Sequence, residues 1–369
     1  MHCKCSKAGG PQLMDSPRVA RPINKNLKPL ETEPMIGETP TLALDSWLTP
    51  NSVFYIRNHF DFPDISDSPD TDWVVNVNGS FKNPGSFTYS DLSKFPKHTQ
   101  AVTMECAGNN RTDLTPRVPG NQFESGAVST AVWAGISLSK VLESFGIDPN
   151  SKELLFQGKD SGEPEPGVKT QNFQRSLPID VAMHPDTMLA FEMNGEPIGV
   201  EHGGPLRLVV PGWYGMASVK WVRQITALNS PFEGYFQTYK YMFRSGEIPA
   251  RPVSLMQVKS LITSPMNGTD LKGDSHSISG FAWSGNAEID SVDVSTDGGS
   301  TWKPARLVGP SDKYSWRQWN FSWINTNTGH HTILSRAKDK LGNLQPAKSN
   351  WNELGYEVNG FKSICLNVI

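Results

Sequence analysis

Glycine and proline recur along the whole chain and limit the length of any helix that it can form. The sequence holds 32 glycines and 28 prolines among 369 residues, and both residue types interrupt helix interiors. Such frequent interruption is typical of many short strands joined by turns and loops. It excludes a long helical bundle. A membrane helix is excluded as well, because no run of about 18 apolar residues occurs.

The charge balance and the first residues bear on partners and location. The 34 Lys and Arg against 37 Asp and Glu give a net charge of −3, whereas nucleic acid or an acidic membrane face would require a surplus of cations. We therefore expect no nucleic acid and no membrane among the main partners. The N-terminus lacks the apolar core of a secretion signal. We expect a cytoplasmic protein, or a periplasmic one if the sequence is truncated at its start.

The four cysteines do not form a disulfide framework in a chain of this length. Cys3 and Cys5 stand beside His2, but two thiols separated by one residue cannot complete a tetrahedral metal site alone. We interpret this pair as incidental.

The chain divides into three segments of different texture. Residues 1–45 carry scattered prolines without periodicity, which predicts a tail or a wrap over the surface. Residues 46–250 mix patterns such as a strand at 73–79 and a helix over 132–145, without a regular βαβ alternation. That mixture is typical of the α+β class. Near residue 250 the texture changes again, and a third segment, 251–369, begins.

Alternating strand patterns separated by Gly, Asp or Asn turns fill this third segment and predict a β-sandwich. The patterns cover 277–283, 289–295, 316–323 and 331–337. Ser295–Trp302 also fits the Asp-box of propeller glycosidases. A single Asp-box is weak evidence for a propeller, since a propeller requires several blades. A Gly-rich hairpin turn is the preferred interpretation.

Cys106 is the cysteine whose surroundings suggest chemistry. It follows an apolar strand and precedes Ala-Gly-Asn-Asn and then Arg111. A turn of small and amide residues is expected to expose the thiol at the strand end, and a nearby cation favours the thiolate that binds metal or attacks a substrate. A buried structural cysteine is the alternative.

A second cluster combines cations with open backbone. His202 and Arg207 flank two glycines, and Lys220 follows on the next strand. Cations near exposed glycine amides are suited to bind a phosphate. A solvated set of charges at a sheet edge is an equal alternative. The tripeptide at 57–59, Arg-Asn-His, is open to the same two interpretations, a surface strand end or an anion contact.

Eight segments occur in one order along the chain and together resemble a known family. They are Phe54–His59, Glu105–Asn109, Phe191–Gly195, His202–Arg207, Pro211–Gly215, Val219–Trp221, Tyr235–Tyr241 and Gly280–Gly285. In this order they resemble the sulfite oxidase family of molybdenum-cofactor enzymes, from about residue 45 to the C-terminus. The resemblance implies an α+β molybdopterin domain over 46–250 and an immunoglobulin-like dimerisation domain over 251–369, and therefore a homodimer.

The resemblance also implies a molybdenum–molybdopterin cofactor and its ligands. Cys106 would supply the thiolate ligand of molybdenum, and one pyranopterin dithiolene would supply the remaining sulfur ligands. His202, Arg207 and Lys220 would hold the pterin phosphate, and Asp160 would bind the pterin. The remaining cofactor contacts that it implies are Asn58, His59 and Ser218.

Arg57, Arg111 and Tyr241 would line the anion pocket, where fixed guanidinium charge attracts an anionic substrate. The implied reaction is oxygen-atom transfer to sulfite, which gives sulfate, with two electrons leaving singly. No haem attachment motif occurs, so we expect no internal haem and an external electron acceptor.

Three positions depart from the family pattern and bear on the substrate. Asn110 stands where many members have an arginine, Phe123 where they have a pocket tryptophan, and Leu354 where animal sulfite oxidases have a substrate arginine. We expect the pocket to attract sulfite less strongly than in the animal enzymes.

Three alternative functions remain at this stage. The same cofactor could reduce an oxyanion or oxide such as nitrate, although assimilatory nitrate reductases tend to have Asn at the position of Tyr241. A carbohydrate-binding sandwich bearing the Asp-box would leave the segments around Cys106, His202 and Lys220 unexplained. Thiol catalysis by Cys106 with His202 as its base is the third.

Overall fold

The computed structural model of the chain describes residues 26–65, 73–285 and 287–369. Cys3, Cys5 and more than half of the predicted tail lie outside the described residues. Strands dominate the described ranges and the helices are short, as the frequent glycines and prolines predicted. No helix within these ranges is long and apolar enough to cross a membrane.

The strands up to residue 252 are β1 (Lys28–Thr32), β2 (Met35–Glu38), β3 (Ile56–Arg57), β4 (Val74–Gly79), β5 (Gly85–Thr88), β6 (His98–Glu105), β7 (Val128–Ser137), β8 (Glu153–Gly162), β9 (Gln171–Pro178), β10 (Met188–Met193), β11 (Glu196–Pro197), β12 (Arg207–Val209), β13 (Val222–Leu228), β14 (Met242–Phe243) and β15 (Arg251–Pro252). The later strands are β16 (Lys259–Ser264), β17 (Asp270–Leu271), β18 (Ser275–Trp283), β19 (Ile289–Ser295), β20 (Lys303–Pro304), β21 (Arg306–Val308), β22 (Arg317–Ile324), β23 (Gly329–Asp339) and β24 (Ile364–Val368). The helices are α1 (Leu138–Leu142), α2 (Ile179–Ala182), a π-helix (Tyr235–Tyr239) and short 3-10 helices at Thr41–Ala43, Asn51–Val53, Ser90–Lys94, Arg111–Asp113, Glu143–Phe145, Val200–His202 and Gly215–Ala217.

Two larger sheets build the first domain. One has the order β11-β10-β7-β6, with β12 also pairing with β10, and the other has the order β5-β4-β13-β8-β9. Strands β4 and β13 run parallel, whereas the other pairs in these two sheets are antiparallel. Their apolar faces share one buried core, which includes Val75, Phe156, Leu189 and Ile225. This mixed architecture with short helices agrees with the predicted α+β class.

Two strands of a small three-stranded sheet, β1 and β2, lie within the segment for which the sequence predicted a tail or a surface wrap. Strands β1 and β2 form an antiparallel hairpin, and β2 pairs with β3 through Ile36 opposite Arg57. Ile36 is buried. The absence of periodicity was misleading for residues 28–38, because strand pairing satisfies this backbone without an alternating apolar pattern.

The helix predicted over residues 132–145 is wrong in its first half. Residues up to Ser137 continue β7, which pairs with β6 on one edge and β10 on the other. A Cβ at Gly135 would lie 2.1 Å from the carbonyl oxygen of Leu189 on β10, so this position requires glycine. Pairing on both edges overrides the helix-like spacing of the apolar residues.

The second domain is the predicted sandwich. Its two sheets have the orders β16-β18-β22-β21 and β17-β24-β23-β19-β20. Side chains from both sheets meet in one apolar core, including Ile278, Val292, Trp319 and Leu366. The four strand patterns of the sequence correspond to β18, β19, β22 and β23. The division near residue 250 stays a prediction.

A buried ion pair joins the end of β6 to the sandwich. Glu105 Oε1 lies 2.7 Å from Lys259 Nζ, and the two side chains are 1% and 5% exposed. Trp283 Nε1 donates to Glu105 Oε2 at 2.8 Å, and Asn109 Nδ2 donates to Oε1 at 3.0 Å. Lys259 Nζ also donates to the carbonyl of Val358 at 2.8 Å. The charge is therefore satisfied from both domains, as burial requires.

Lys259→Met tests this contact, because it removes the cation and leaves the Glu105 carboxylate buried. Losing one partner of a buried ion pair costs about 3–5 kcal/mol, and we expect that loss in the free energy of unfolding measured with denaturant. The control is Lys340→Met, which breaks the 2.9 Å pair with Glu288, whose side chains are 58% and 35% exposed. This control should cost less than about 1 kcal/mol. If both variants lost the same small amount of unfolding free energy, the structural importance of the Glu105–Lys259 pair would be contradicted.

Candidate active site

One pocket in the first domain gathers all of the site residues predicted from the sequence except Arg111. They are Arg57, Asn58, His59, Cys106, Asp160, His202, Arg207, Ser218, Lys220 and Tyr241. Apolar and aromatic side chains complete the wall, among them Phe54, Met104, Phe173 and Trp221. The space between the atoms, counted to the open mouth, is about 650 Å³.

Cys106 stands in the pocket wall directly after β6. Its backbone N–H donates to the carbonyl of Ala127 at 2.8 Å, and its carbonyl accepts from Asn109 at 2.9 Å. The residue is only 8% exposed, so the expected exposure of the thiol was wrong. Burial raises its pKa, and the charges of Arg57 and Arg111 oppose this shift. A metal that binds such a thiol displaces its proton, so a raised pKa is compatible with ligation.

The predicted phosphate site forms where the 3-10 helix Val200–His202 turns into β12. Arg207 Nη1 donates to the His202 carbonyl at 2.6 Å, and Nη2 donates to the Ser218 carbonyl at 3.1 Å. Lys220 Nζ donates to Asn58 Oδ1 and to the Glu201 carbonyl, each at 2.7 Å. These hydrogen bonds fix the Arg207 and Lys220 side chains in the pocket wall.

Glycine makes this close packing possible. Gly203 follows His202 with φ of +99°, a left-handed conformation that side chains disfavour. A Cβ on Gly203 would lie 2.7 Å from the Cβ and Cγ of Lys220. Gly203 is therefore required by the approach of the lysine side chain, whereas a Cβ on Gly204 would clash with the carbonyl of Ile198.

The basic groups destabilise one another in the absence of an anion. Burial lowers the pKa of His202 to about 3 and that of Lys220 well below its usual value, with neighbouring cations adding to both shifts. Burial also lowers the pKa of Arg207 to about 10. Its Nε is buried without a hydrogen-bond partner among the described residues. A bound phosphate would offset this repulsion and give Nε an acceptor, so the residues present fit a phosphorylated cofactor.

Asp160 on β8 offers a further acceptor in the pocket wall. Its Oδ1 is buried and finds no donor within the described ranges. Burial raises the pKa of this carboxyl to about 7, and the charge of Lys220 opposes the shift. An N–H group of a heterocycle would satisfy the free oxygen, so Asp160 also fits the predicted pterin contact.

The mouth of the pocket carries a guanidinium and a linked phenol–imidazole pair. Arg57 Nη1 donates to the carbonyl of Asn58 at 2.9 Å. The hydroxyl oxygen of Tyr241 lies 2.7 Å from His59 Nε2. The His59 ring stacks on Phe173 with centroids 4.5 Å apart. Burial and then Arg57 lower the pKa of His59 well below its usual value, so the ring is neutral.

Arg111 is the predicted site residue that does not line this pocket. Its Nε and Nη2 donate to the carbonyl of Leu354 at 3.2 and 3.0 Å, and Nη1 donates to the carbonyl of Asn121 at 2.7 Å. Its guanidinium lies 5.3 Å from the centroid of Tyr356. Its donors are therefore engaged by backbone carbonyls, and its charge acts on Cys106 without contact.

The two departures from the family pattern at Phe123 and Leu354 also lie outside the pocket wall. Phe123 is buried in the apolar cluster that contains Tyr55 and Cys106. The Leu354 side chain packs against the main core, while its carbonyl holds Arg111. Asn110 is buried and donates to Asp113 and Ser125.

The structure also bears on two of the alternatives. His202 Nε2 lies 3.0 Å from the carbonyl oxygen of Asn51, to which it donates, and the described contacts include no hydrogen bond between His202 and Cys106. A Cys–His catalytic pair is therefore not formed. In the Asp-box segment, Asp297 accepts from Ser295 and Thr301. These bonds close the turn between β19 and β20, as a hairpin turn requires.

Sequence reasoning missed two aromatic or basic neighbours of the pocket. Arg175 on β9 is buried against Tyr241, and Tyr356 stacks on Tyr241 with centroids 5.2 Å apart. Arginine in a strand ordinarily indicates a solvent-facing position. Tyr356 comes from a segment more than 100 residues away in the sequence, so no local spacing could reveal the contact.

Two family matches cover most of the chain. Residues 59–236 match the oxidoreductase molybdopterin binding domain, and residues 250–368 match the Mo-co oxidoreductase dimerisation domain.

Whole-chain relatives agree with these matches. The mitochondrial sulfite oxidase of Rattus norvegicus is 33% identical over 368 residues, covering 93% of this chain and 65% of the rat protein. The chain thus spans just under two thirds of that relative. The sulfite oxidase of Arabidopsis thaliana is 32% identical, covering 90% of this chain and 92% of the plant protein. The crystal structure of the sulfane dehydrogenase SoxCD from Paracoccus pantotrophus superposes with a TM-score of 0.80 at 30% identity, covering 96% of this chain and 92% of that chain.

Asp160→Asn tests the electrostatics of the pocket in cofactor-free protein. The buried carboxyl holds its proton up to about pH 7, whereas an unfolded aspartate titrates near about pH 3.9. Between these values the folded state binds more protons, so stability falls as the pH rises. The variant lacks this loss. Its stability relative to wild type should therefore rise by about 2–3 kcal/mol between pH 5 and pH 8, measured by denaturant unfolding. If the difference in stability between Asp160→Asn and wild type did not change with pH, the raised pKa of Asp160 would be contradicted.

Proposed function

Because the chain belongs to the sulfite oxidase family of molybdopterin oxidoreductases, we propose that it oxidises sulfite to sulfate and passes two electrons to an external acceptor. The observation that carries this proposal is a single pocket holding a buried thiol, a cluster of basic side chains and a guanidinium at its mouth. The overall balance is sulfite plus water giving sulfate, two protons and two electrons.

The pocket residues have separate tasks in holding the cofactor. His202, Arg207 and Lys220 would bind its phosphate, and Asp160 would accept a hydrogen bond from its pterin. Cys106 would bind molybdenum as a thiolate, a soft ligand. When bound, the cofactor supplies oxygen-atom transfer and takes up the electron pair.

Arg57 and Tyr241 act on the substrate at the mouth. The Arg57 guanidinium attracts a sulfite anion and orients it through charge-assisted hydrogen bonds. With the proton on His59 Nε2, the ring donates to the Tyr241 oxygen, and the phenol proton is free to bond an oxyanion. The low pKa of His59 keeps the imidazole neutral, so it does not add a competing charge.

We propose that two copies of this chain associate through residues 251–369. The match of residues 250–368 to a dimerisation domain supports this arrangement. A cytoplasmic location, the external acceptor and the expected lack of an internal haem also stay predictions.

Cys106→Ser replaces the soft thiolate by a hard, weakly acidic hydroxyl, and sulfite oxidation should fall by more than about 100-fold. The reason is that changes even to groups around metal ligands cost about 10–100-fold. The measurement is steady-state oxidation of sulfite with ferricyanide, together with molybdenum content and circular dichroism. Cys365→Ser, at an exposed cysteine of the sandwich, is the control and should retain full activity. Full activity in the Cys106 variant would disprove its assignment as the ligand.

Arg57→Gln removes a cation from the mouth and should raise the KM for sulfite about 10- to 100-fold. This range corresponds to the loss of one charge-assisted hydrogen bond, about 1.5–3 kcal/mol. Inhibition by sulfate should weaken in parallel. Arg317→Gln, in the sandwich strand β22, should leave both constants unchanged.

A wild-type protein loaded with molybdenum that reduces nitrate or another oxide but does not oxidise sulfite would overturn the substrate assignment. The cofactor assignment would survive that result, since molybdenum and pterin content are measured separately.

A further inference from the structure

Arg175 is a buried cation that none of the roles above uses. It lies on β9, two residues beyond Phe173, whose side chain lines the pocket on the same face of the strand. Only 1% of the residue is exposed. Arginine is almost never fully buried unless it is paired, so its partners require an explanation.

Its hydrogen bonds go to backbone carbonyls and not to a carboxylate. Nη1 donates to the carbonyl of Phe236, and Nη2 donates to the carbonyl of Val253 at 3.4 Å. Nε is buried without a hydrogen-bond partner in the described part of the chain. Two carbonyl dipoles do not neutralise a guanidinium, so a formal positive charge remains inside the protein beside the pocket.

The two carbonyls flank Tyr241. Phe236 belongs to the π-helix Tyr235–Tyr239 that precedes it, and Val253 donates its N–H to the Tyr241 carbonyl at 2.8 Å. Tyr241 itself has φ of +55°, a conformation that costs free energy unless the surroundings enforce it. Arg175 therefore holds the backbone on both sides of this residue.

The charge of Arg175 also lies close behind the Tyr241 side chain. Its guanidinium carbon is 5.7 Å from the centroid of the Tyr241 ring. Burial raises the pKa of Tyr241, and Arg57 and Arg175 oppose this shift. Arg57 lines the same pocket as Tyr241, so two cations act on the phenol.

We propose that Arg175 is a positioning residue that sets the affinity of the pocket for oxyanions, by holding Tyr241 in place and by adding a fixed positive charge behind it. This proposal rests on the proposed function.

Two tetrahedral anions of similar shape and different charge separate the effect of the charge from that of the geometry. Sulfate carries two negative charges and perchlorate one, so a Coulomb energy contributed by Arg175 is twice as large for sulfate. The corresponding change in dissociation constant for sulfate is then the square of the change for perchlorate. A purely structural role would change both constants by similar factors.

The experiment measures the inhibition constants of both anions against sulfite in four molybdenum-loaded proteins. These are the wild type and the variants Arg175→Gln, Arg175→Lys and Arg336→Gln. Arg175→Gln should raise the inhibition constant of sulfate about tenfold and that of perchlorate about threefold. The KM for sulfite should rise by the same factor as the sulfate constant, and kcat should change less. Arg175→Lys retains the charge and should stay within about threefold of wild type for both anions. Arg336→Gln, which breaks a pair with Asp293 in the sandwich, should change neither constant.

Equal factors for the two anions in Arg175→Gln, or no change in a folded variant, would overturn the proposal. If Arg175→Gln does not fold, Arg175→Lys decides, because a loss of sulfate affinity above about tenfold in the folded lysine variant would also overturn it. If the wild type does not oxidise sulfite, calorimetry measures the dissociation constants of the two anions in place of the inhibition constants. Charge-dependent sulfate binding would then support the role of Arg175 while the proposed function fails.

Discussion

The buried carboxylate of Glu105 is the contact on which the arrangement of the two domains and the pocket depends. It accepts from Lys259 and Trp283 of the sandwich and from Asn109 of its own domain. A carboxylate removed from water is stable only when its oxygens are satisfied, so the domains must meet with these donors in place. Because Glu105 immediately precedes Cys106, the same contact also positions the thiol in the pocket wall.

The pocket shows the opposite situation, in which like charges are held together and not satisfied internally. Arg207 and Lys220 repel one another, Arg57 stands at the mouth, and Arg175 is buried beside the Tyr241 ring. Each is held by neutral carbonyls or amides that orient the cation without neutralising it. Such a pocket favours anions strongly, since binding relieves repulsion as well as forming hydrogen bonds. A phosphorylated cofactor and an oxyanion substrate both meet this condition.

Prediction from sequence succeeded where the signal is local. The alternating strands of the sandwich match β18, β19, β22 and β23, because a strand with one buried face shows its period directly. The predicted helix over 132–145 failed for residues 132–137, where β7 is paired on both edges and its apolar residues face both sides. The family resemblance predicted site residues that all line the pocket except Arg111, whose guanidinium is engaged by the Leu354 and Asn121 carbonyls.

The sequence by itself determined which chemical groups are present and their order: a cysteine at a strand end, the basic residues around two glycines, and the turns that separate the sandwich strands. Only the tertiary structure decided that the Cys106 thiol is buried, that Arg175 stands behind Tyr241 and that Arg111 turns to the segment around Leu354. The physical reason is that turns and strand periods arise from neighbouring residues. Burial, repulsion and pKa shifts arise instead from atoms that distant segments bring together.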